Sequence, residues 1–110
     1  MFPSRFPQKA RQQMAFAKSG YNFTEQGIAS YAPRSSGVYG IYNSGKWIYI
    51  GEAGDIEARL YAHLRRQSDQ SACIHRNNPT HFAFEEVEAA KRVDRERALI
   101  RECNPVCNQA

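Results

Sequence analysis

The chain has 110 residues, with 15 Lys or Arg against 11 Asp or Glu, which gives a formal net charge of +4 at neutral pH. This length predicts one domain with a modest core. The positive charge suits a polyanionic partner, although many domains of this charge bind none. No apolar run is long enough to span a bilayer and no signal-peptide pattern is found, so a cytoplasmic protein without membrane association is expected.

Residues 1–34 are expected to form an N-terminal extension that is partly helical. Pro7 can open a helix over residues 8–18, and the Ser-Gly pair that follows would end it. The stretch 21–35 is mixed and rich in turn-forming residues, so it carries no clear signal for a helix or a strand.

Residues 35–110 are expected to form one α/β domain. Aromatic and β-branched residues predict strands at 37–43 and 46–51, joined by an Asn-Ser-Gly turn. A polar loop over 68–79 then leads to a third strand at 80–87. The expected fold class is therefore an α+β domain with a three-stranded antiparallel sheet flanked by helices.

A helix is predicted over residues 56–67, because Asp55 is a good N-cap immediately before it. Ile56, Leu60 and Leu64 recur every fourth residue along this helix. They predict the face that packs on the core.

Two short motifs lie on the first two predicted strands. One reads Gly-Val-Tyr and ends at Tyr39, and the other reads Tyr-Ile-Gly and begins at Tyr49. Arg59 and His63 follow one turn apart on the next helix. This arrangement resembles the GIY-YIG nuclease family, and the resemblance extends over residues 37–108.

The C-terminal part of the chain carries a second match. Glu96 on a helix predicted over residues 89–103, followed by Pro105 and Asn108, is similar to the closing motif of that family. The resemblance implies that Glu96 holds a divalent metal, Mg²⁺ or Mn²⁺, and that Asn108 helps to order the site. Such hard cations prefer oxygen ligands and often take only one or two carboxylates.

The resemblance also implies roles for the other motif residues. Arg59 would stabilise the phosphate, because its guanidinium is always charged and can bind two oxygens. Tyr39 and Tyr49 would orient or deprotonate the attacking water, and Gly51 would support the site. A free phenol, with a pKa near ~10, needs a nearby cation for that task, and His63 is the alternative base. The sequence leaves open which group acts.

The function implied by the resemblance is a metal-dependent endonuclease that hydrolyses phosphodiester bonds. DNA is the expected substrate, and recognition directed at structure or at single strands is expected. A partner protein could deliver the domain to its target. Further contacts to nucleic acid are expected from four basic residues, Arg65, Arg66, Lys46 and Arg11. Glu52 departs from the family pattern, in which small or basic residues are common, and could repel a phosphate or add a metal contact.

Two alternatives remain open from the residues alone. Cys73, His75, Cys103 and Cys107 could bind structural zinc, although their spacing is a poor match and reduced thiols are the simpler expectation. The other alternative is a non-catalytic nucleic-acid-binding adaptor, in which basic and aromatic residues of the N-terminal extension bind phosphates and stack on bases.

Overall fold

The computed structural model describes residues 15–108. Within this range the chain forms four strands, four α-helices and a final 3-10 turn. In chain order they are β1 Lys18–Asn22, α1 Glu25–Tyr31, β2 Gly37–Tyr42, β3 Trp47–Ala53, α2 Ile56–Leu64, α3 Ser71–Arg76, β4 His81–Glu86, α4 Ala89–Cys103 and the turn Val106–Asn108. None of the helices in this range has the length and apolar character needed to cross a membrane.

The strands form one antiparallel sheet in the order β1-β4-β2-β3. An antiparallel sheet flanked by helices confirms the predicted fold class, but the sheet has four strands where three were expected. The additional strand is β1, which lies in the N-terminal extension and pairs with β4 so that Tyr21 lies opposite Phe82. Lys18–Asn22 contains Gly and Asn, which are unfavourable in strands, and its pairing partner lies about 60 residues away along the chain. The local sequence therefore did not predict this strand.

Two predictions for helices and loops need correction. The helix expected over residues 8–18 falls largely outside the described residues, and its C-terminal end is wrong because Lys18 already begins β1. The loop expected over residues 68–79 contains α3. This helix has only six residues, and no side chain caps its N-terminus, so it lacked the usual start signal.

The elements that carry the motifs follow local rules closely. The Asp55 carboxylate accepts a hydrogen bond from the Ala58 amide at 3.0 Å and begins α2 as an N-cap. Ile56 and Leu60 are fully buried, as the apolar stripe predicted, whereas Leu64 is only partly buried. Capping and apolar packing therefore fix the position of α2 against the sheet.

Both faces of the sheet are covered. On one face, Tyr39 and Phe82 pack with Ile28 of α1, Leu60 of α2 and Ile74 of α3. The second core cluster combines strand residues with α4, and its members are Phe16, Val38, Tyr42, Trp47, Ile50, Ala83 and Leu99. The residues of β2 and β4 alternate between these two clusters, as expected for side chains that point to opposite faces. In β3 the alternation is interrupted where the register with β2 shifts, so Ile48 and Tyr49 both pack in the first cluster.

A disulfide joins Cys73 of α3 to Cys107 of the C-terminal turn. The expectation of reduced thiols is therefore wrong for these two residues, and Cys103 is the free cysteine. Their sequence separation of 34 residues gave no indication of the pairing. The bridge ties the C-terminal turn to the helical layer over the sheet.

Candidate active site

The two motif tyrosines lie on the same face of the β2–β3 hairpin. Tyr39 lies opposite Gly51 in the strand register, and Tyr49 is its diagonal neighbour, with 6.2 Å between the ring centroids. Gly51 leaves the space that the Tyr39 ring occupies. A Cβ atom at position 51 would lie 2.6 Å from Cζ of Tyr39, so a side chain there and this position of the ring exclude each other.

His63 lies beneath the tyrosines and is fully buried. Its Nε2 is 2.7 Å from the Tyr39 hydroxyl, and its Nδ1 is 2.7 Å from the hydroxyl of Ser68. The rings of His63 and Tyr49 meet at a steep angle of 67°, with 5.2 Å between centroids. Because both ring nitrogens have hydroxyl partners, the imidazole is held in one orientation.

Arg59 lies one turn before His63 on α2 and supplies positive charge to this cluster. Its Nη2 is 3.5 Å from the side-chain oxygen of Gln70, which lies just before α3. Burial lowers the pKa of His63 to about 4, and the charge of Arg59 acts in the same direction. The imidazole is therefore neutral at neutral pH.

Burial raises the pKa of Tyr39 well above its usual range, and the neighbouring Tyr49 raises it further. The pKa of Tyr49 is raised by burial and by the charge of Glu96. Arg59 opposes both shifts through its positive charge. Both phenols are thus protonated at neutral pH and unsuited to act alone as bases.

Glu96 of α4 supplies a carboxylate to the same site. Its pKa is raised by partial burial and by the nearby Glu52 carboxylate, with Arg97 opposing. Among the salt bridges of residues 15–108, none involves Glu96. Two neighbouring carboxylates, one without an ion-pair partner in this range, form an oxygen-rich environment that a hard divalent cation would stabilise.

Glu52 is held by an arginine that the sequence analysis did not single out. Arg92 of α4 donates from Nε to the Glu52 carboxylate and from Nη1 to the Ser36 hydroxyl at 2.9 Å. Glu52, Arg59 and Arg92 line an open groove of about 570 Å³. Two arginines thus line an open surface beside the buried cluster, where an anion could approach.

Asn108 braces β3 from the side opposite β2. Its side-chain oxygen accepts a hydrogen bond from the Ile50 amide at 2.8 Å, and its side-chain nitrogen donates to the Ile50 carbonyl at 2.7 Å. Ile50 lies between Tyr49 and Gly51 of the second motif. The C-terminal turn therefore fixes the backbone of the strand that presents the site.

A model of the GIY-YIG catalytic domain matches residues 35–109. The chain belongs to the GIY-YIG family. No curated protein gives a significant match to it. Within the family, the chain is similar to a nuclease domain of known structure.

That structure is the GIY-YIG N-terminal endonuclease domain of UvrC from Thermotoga maritima. A tyrosine-to-phenylalanine variant of it, bound to its catalytic divalent cation, aligns with a TM-score of 0.65 and 26% identity. The alignment covers 79% of this chain and 100% of that one. The same domain bound to magnesium aligns with a TM-score of 0.63 and 28% identity, covering 77% and 98% of the two chains.

The structure brings together five of the residues that the GIY-YIG resemblance indicated, namely Tyr39, Tyr49, Arg59, His63 and Glu96. The additional basic residues do not join them. Arg65 pairs with Glu25 at 2.7 Å and stacks on Tyr61, and Arg66 is exposed in the turn after α2. Lys46 lies at the tip of the hairpin, where it donates to Asn77 at 2.8 Å. Arg11 lies outside the described residues.

The zinc alternative is wrong for this GIY-YIG chain. Cys73 and Cys107 are joined to each other, and residues 15–108 contain no cluster of three or more His, Cys, Asp or Glu side chains arranged to hold a metal.

Sequence reasoning missed three residues that touch the site, Ser68, Gln70 and Arg92. Ser68 and Gln70 lie in the segment that was predicted as a polar loop. Arg92 belongs to no recognisable sequence motif, and only its hydrogen bond to Glu52 in the structure indicates that it belongs to the site. The Ser-x-x-Ser spacing of residues 68–71 was an available signal for a local turn, since the Ser71 hydroxyl accepts from the Ser68 amide at 3.1 Å.

Proposed function

We propose that this GIY-YIG domain is a divalent-metal-dependent endonuclease that hydrolyses phosphodiester bonds, with DNA as the expected substrate. The observation that carries the proposal is the buried hydrogen bond of 2.7 Å between Tyr39 and His63, with Arg59 and Glu96 close enough to shift the pKa of the phenol. An aromatic pair used only for packing would need neither a charged neighbour nor a fully buried imidazole.

Glu96 is the residue proposed to hold Mg²⁺ or Mn²⁺, and its half-buried carboxylate without an ion pair in residues 15–108 fits such a cation. When bound, the cation would neutralise phosphate oxygens and lower the pKa of water. Glu52 stands close enough to raise the pKa of Glu96, so it adds negative charge on the same side. Its pairing with Arg92 reduces the repulsion that a free carboxylate would exert on a phosphate.

Arg59 is proposed to stabilise the phosphate during the reaction. Its guanidinium borders both the groove and the buried cluster, and its hydrogen bond to Gln70 is long at 3.5 Å. A long bond is easily exchanged for charge-assisted bonds to phosphate oxygens. Arg92 lines the same groove and is proposed to attract the nucleic-acid backbone.

Tyr39 and His63 are proposed to act together on the attacking water. The Tyr39 oxygen would receive a proton from water while the Tyr39 hydroxyl passes its own proton to Nε2 of His63. The resulting imidazolium is disfavoured by burial, so it would return the proton within the same turnover. Tyr49, whose ring faces His63, is proposed to help position the water.

The decisive experiment compares cleavage of labelled single-stranded, double-stranded and branched DNA, and of RNA, with Mg²⁺, with Mn²⁺ and with EDTA. The variant is Glu96→Gln, and the matched control is Glu102→Gln on the exposed face of the same helix. We expect metal-dependent cutting by the wild type and by the control, and a loss of at least about 100-fold in Glu96→Gln.

Binding is measured in parallel by fluorescence anisotropy on the same substrates. Binding that persists without any cutting by the wild type would favour the adaptor function instead. The substrate that is cut fastest decides between DNA and RNA and between paired and unpaired strands. Cytoplasmic location and a targeting partner protein remain predictions from the sequence.

A further inference from the structure

A buried chain of hydroxyl groups extends from the proposed site into the segment between α2 and α3. From the Tyr39 hydroxyl it passes through His63 to the Ser68 hydroxyl, which is 2.7 Å from the Ser71 hydroxyl. Ser71 is buried, and it accepts a hydrogen bond from the Ser68 amide at 3.1 Å. This series of hydrogen bonds thus links the end of α2 to the first turn of α3.

The Ser71 end of this series indicates the direction of its hydrogen bonds. The Ser71 hydroxyl contacts the His63 carbonyl at 3.4 Å, and a carbonyl can only accept. With its single hydrogen used there, Ser71 accepts from the Ser68 hydroxyl. In that arrangement Ser68 accepts from Nδ1 of His63, which places the imidazole hydrogen on Nδ1 and leaves Nε2 with a free lone pair toward Tyr39.

We propose that Ser68 is a positioning residue that holds neutral His63 in the tautomer with the hydrogen on Nδ1, so that Nε2 accepts the Tyr39 proton. The proposal deepens the nuclease function proposed above and rests on it for its catalytic consequence. No other residue within 15–108 makes a hydrogen bond to Nδ1. The segment that carries Ser68 is therefore part of the catalytic arrangement, although Ser68 touches no substrate.

The tautomer is read directly by long-range ¹H–¹⁵N NMR of protein labelled with ¹⁵N-histidine. The chain has three histidines, so spectra of His75→Gln and His81→Gln assign the His63 ring by elimination. We expect a protonated-type nitrogen at Nδ1 and an unprotonated-type nitrogen at Nε2. Because this measurement needs no substitution at Ser68, it holds even if a variant fails to fold.

Ser68→Ala removes the acceptor from Nδ1, and Ser68→Thr restores a hydroxyl. We expect Ser68→Ala to shift His63 toward the other tautomer and to lower kcat about 10-fold with KM unchanged, and Ser68→Thr to recover most of both. Ser44→Ala, at an exposed position in the hairpin turn, is the matched control and should leave the spectrum and the rate unchanged.

Two outcomes overturn the inference: a wild-type His63 with its hydrogen on Nε2, or a Ser68→Ala variant with unchanged tautomer and rate. Failure of the nuclease proposal looks different. In that case the wild type cuts no substrate, while the NMR spectra still show the Nδ1 tautomer in the wild type and its loss in Ser68→Ala. That pattern supports the positioning of His63 by Ser68 and refutes only its use in cleavage.

Discussion

Replacing Gly51 by alanine should disturb both the stability and the proposed chemistry of this GIY-YIG domain. The new Cβ would lie 2.6 Å from Cζ of Tyr39 and 3.0 Å from Cε2 of Tyr49, whereas ordinary contacts begin at 3.4 Å. The Tyr39 ring must therefore move by about 0.8 Å or more. Tyr39 is only 1% exposed, so its neighbours leave it little room for this movement.

The expected cost follows from two contributions. Overpacking of a close-packed core costs about 1–3 kcal/mol, and loss of the Tyr39–His63 hydrogen bond adds about 1 kcal/mol. We expect the free energy of unfolding to fall by about 2–4 kcal/mol, measured by urea denaturation. We also expect the cleavage rate to fall more than the folded fraction explains, since the phenol no longer reaches Nε2.

Gly45→Ala in the adjoining turn is the matched control. Its Cβ would meet only the side-chain oxygen of Asn43 at 3.7 Å, so we expect a change within about 0.5 kcal/mol and normal cleavage. If Gly51→Ala matched this control in both stability and rate, Gly51 would not be needed to make room for the Tyr39 phenol.

Three further predictions follow from other contacts. As the pH falls from 7 to 4.5, His63 becomes protonated in the unfolded chain but stays largely neutral in the folded chain, whose His63 pKa is about 4. The free energy of unfolding, measured by urea denaturation, should therefore fall by about 2 kcal/mol. This contribution should be absent in His63→Gln. Opening the Cys73–Cys107 bridge with a phosphine should lower the free energy of unfolding by about 4 kcal/mol, while thiol titration rises from one to three groups per chain. Glu96→Gln should abolish Mg²⁺ binding in calorimetry yet unfold at the same or slightly higher urea concentration, because the raised pKa means that its ionised form is disfavoured in the folded chain.

The sequence predicted the elements that carry the site because their signals are local. The β2–β3 hairpin has turn residues between two runs of strand formers, Asp55 caps α2, and α4 was predicted over the residues it occupies. Once two motifs fall on neighbouring strands and a third on a helix, the family resemblance supplies the arrangement that brings Tyr39 and Glu96 together.

What the sequence did not predict depends on contacts between distant parts of the chain. Pairing of β1 with β4 and the Cys73–Cys107 bridge join residues that carry no mark of their partners. Ser68 illustrates a subtler case, because its contact with His63 is set by the path of the chain between α2 and α3, for which residue type gives little information. The buried support of the site was therefore harder to foresee than its motif residues.

The side chain of Asn108 has a consequence for how copies of this domain behave in concentrated solution. Within residues 15–108, β3 is an edge strand, and such strands expose amide and carbonyl groups that can pair with a strand of another molecule. Asn108 occupies both groups of Ile50, the residue at the centre of that edge. An Asn108→Ala variant would expose a ready template for intermolecular strand pairing, so its first symptom should be aggregation. The amide that braces the second motif thus also protects the chain against β-sheet association.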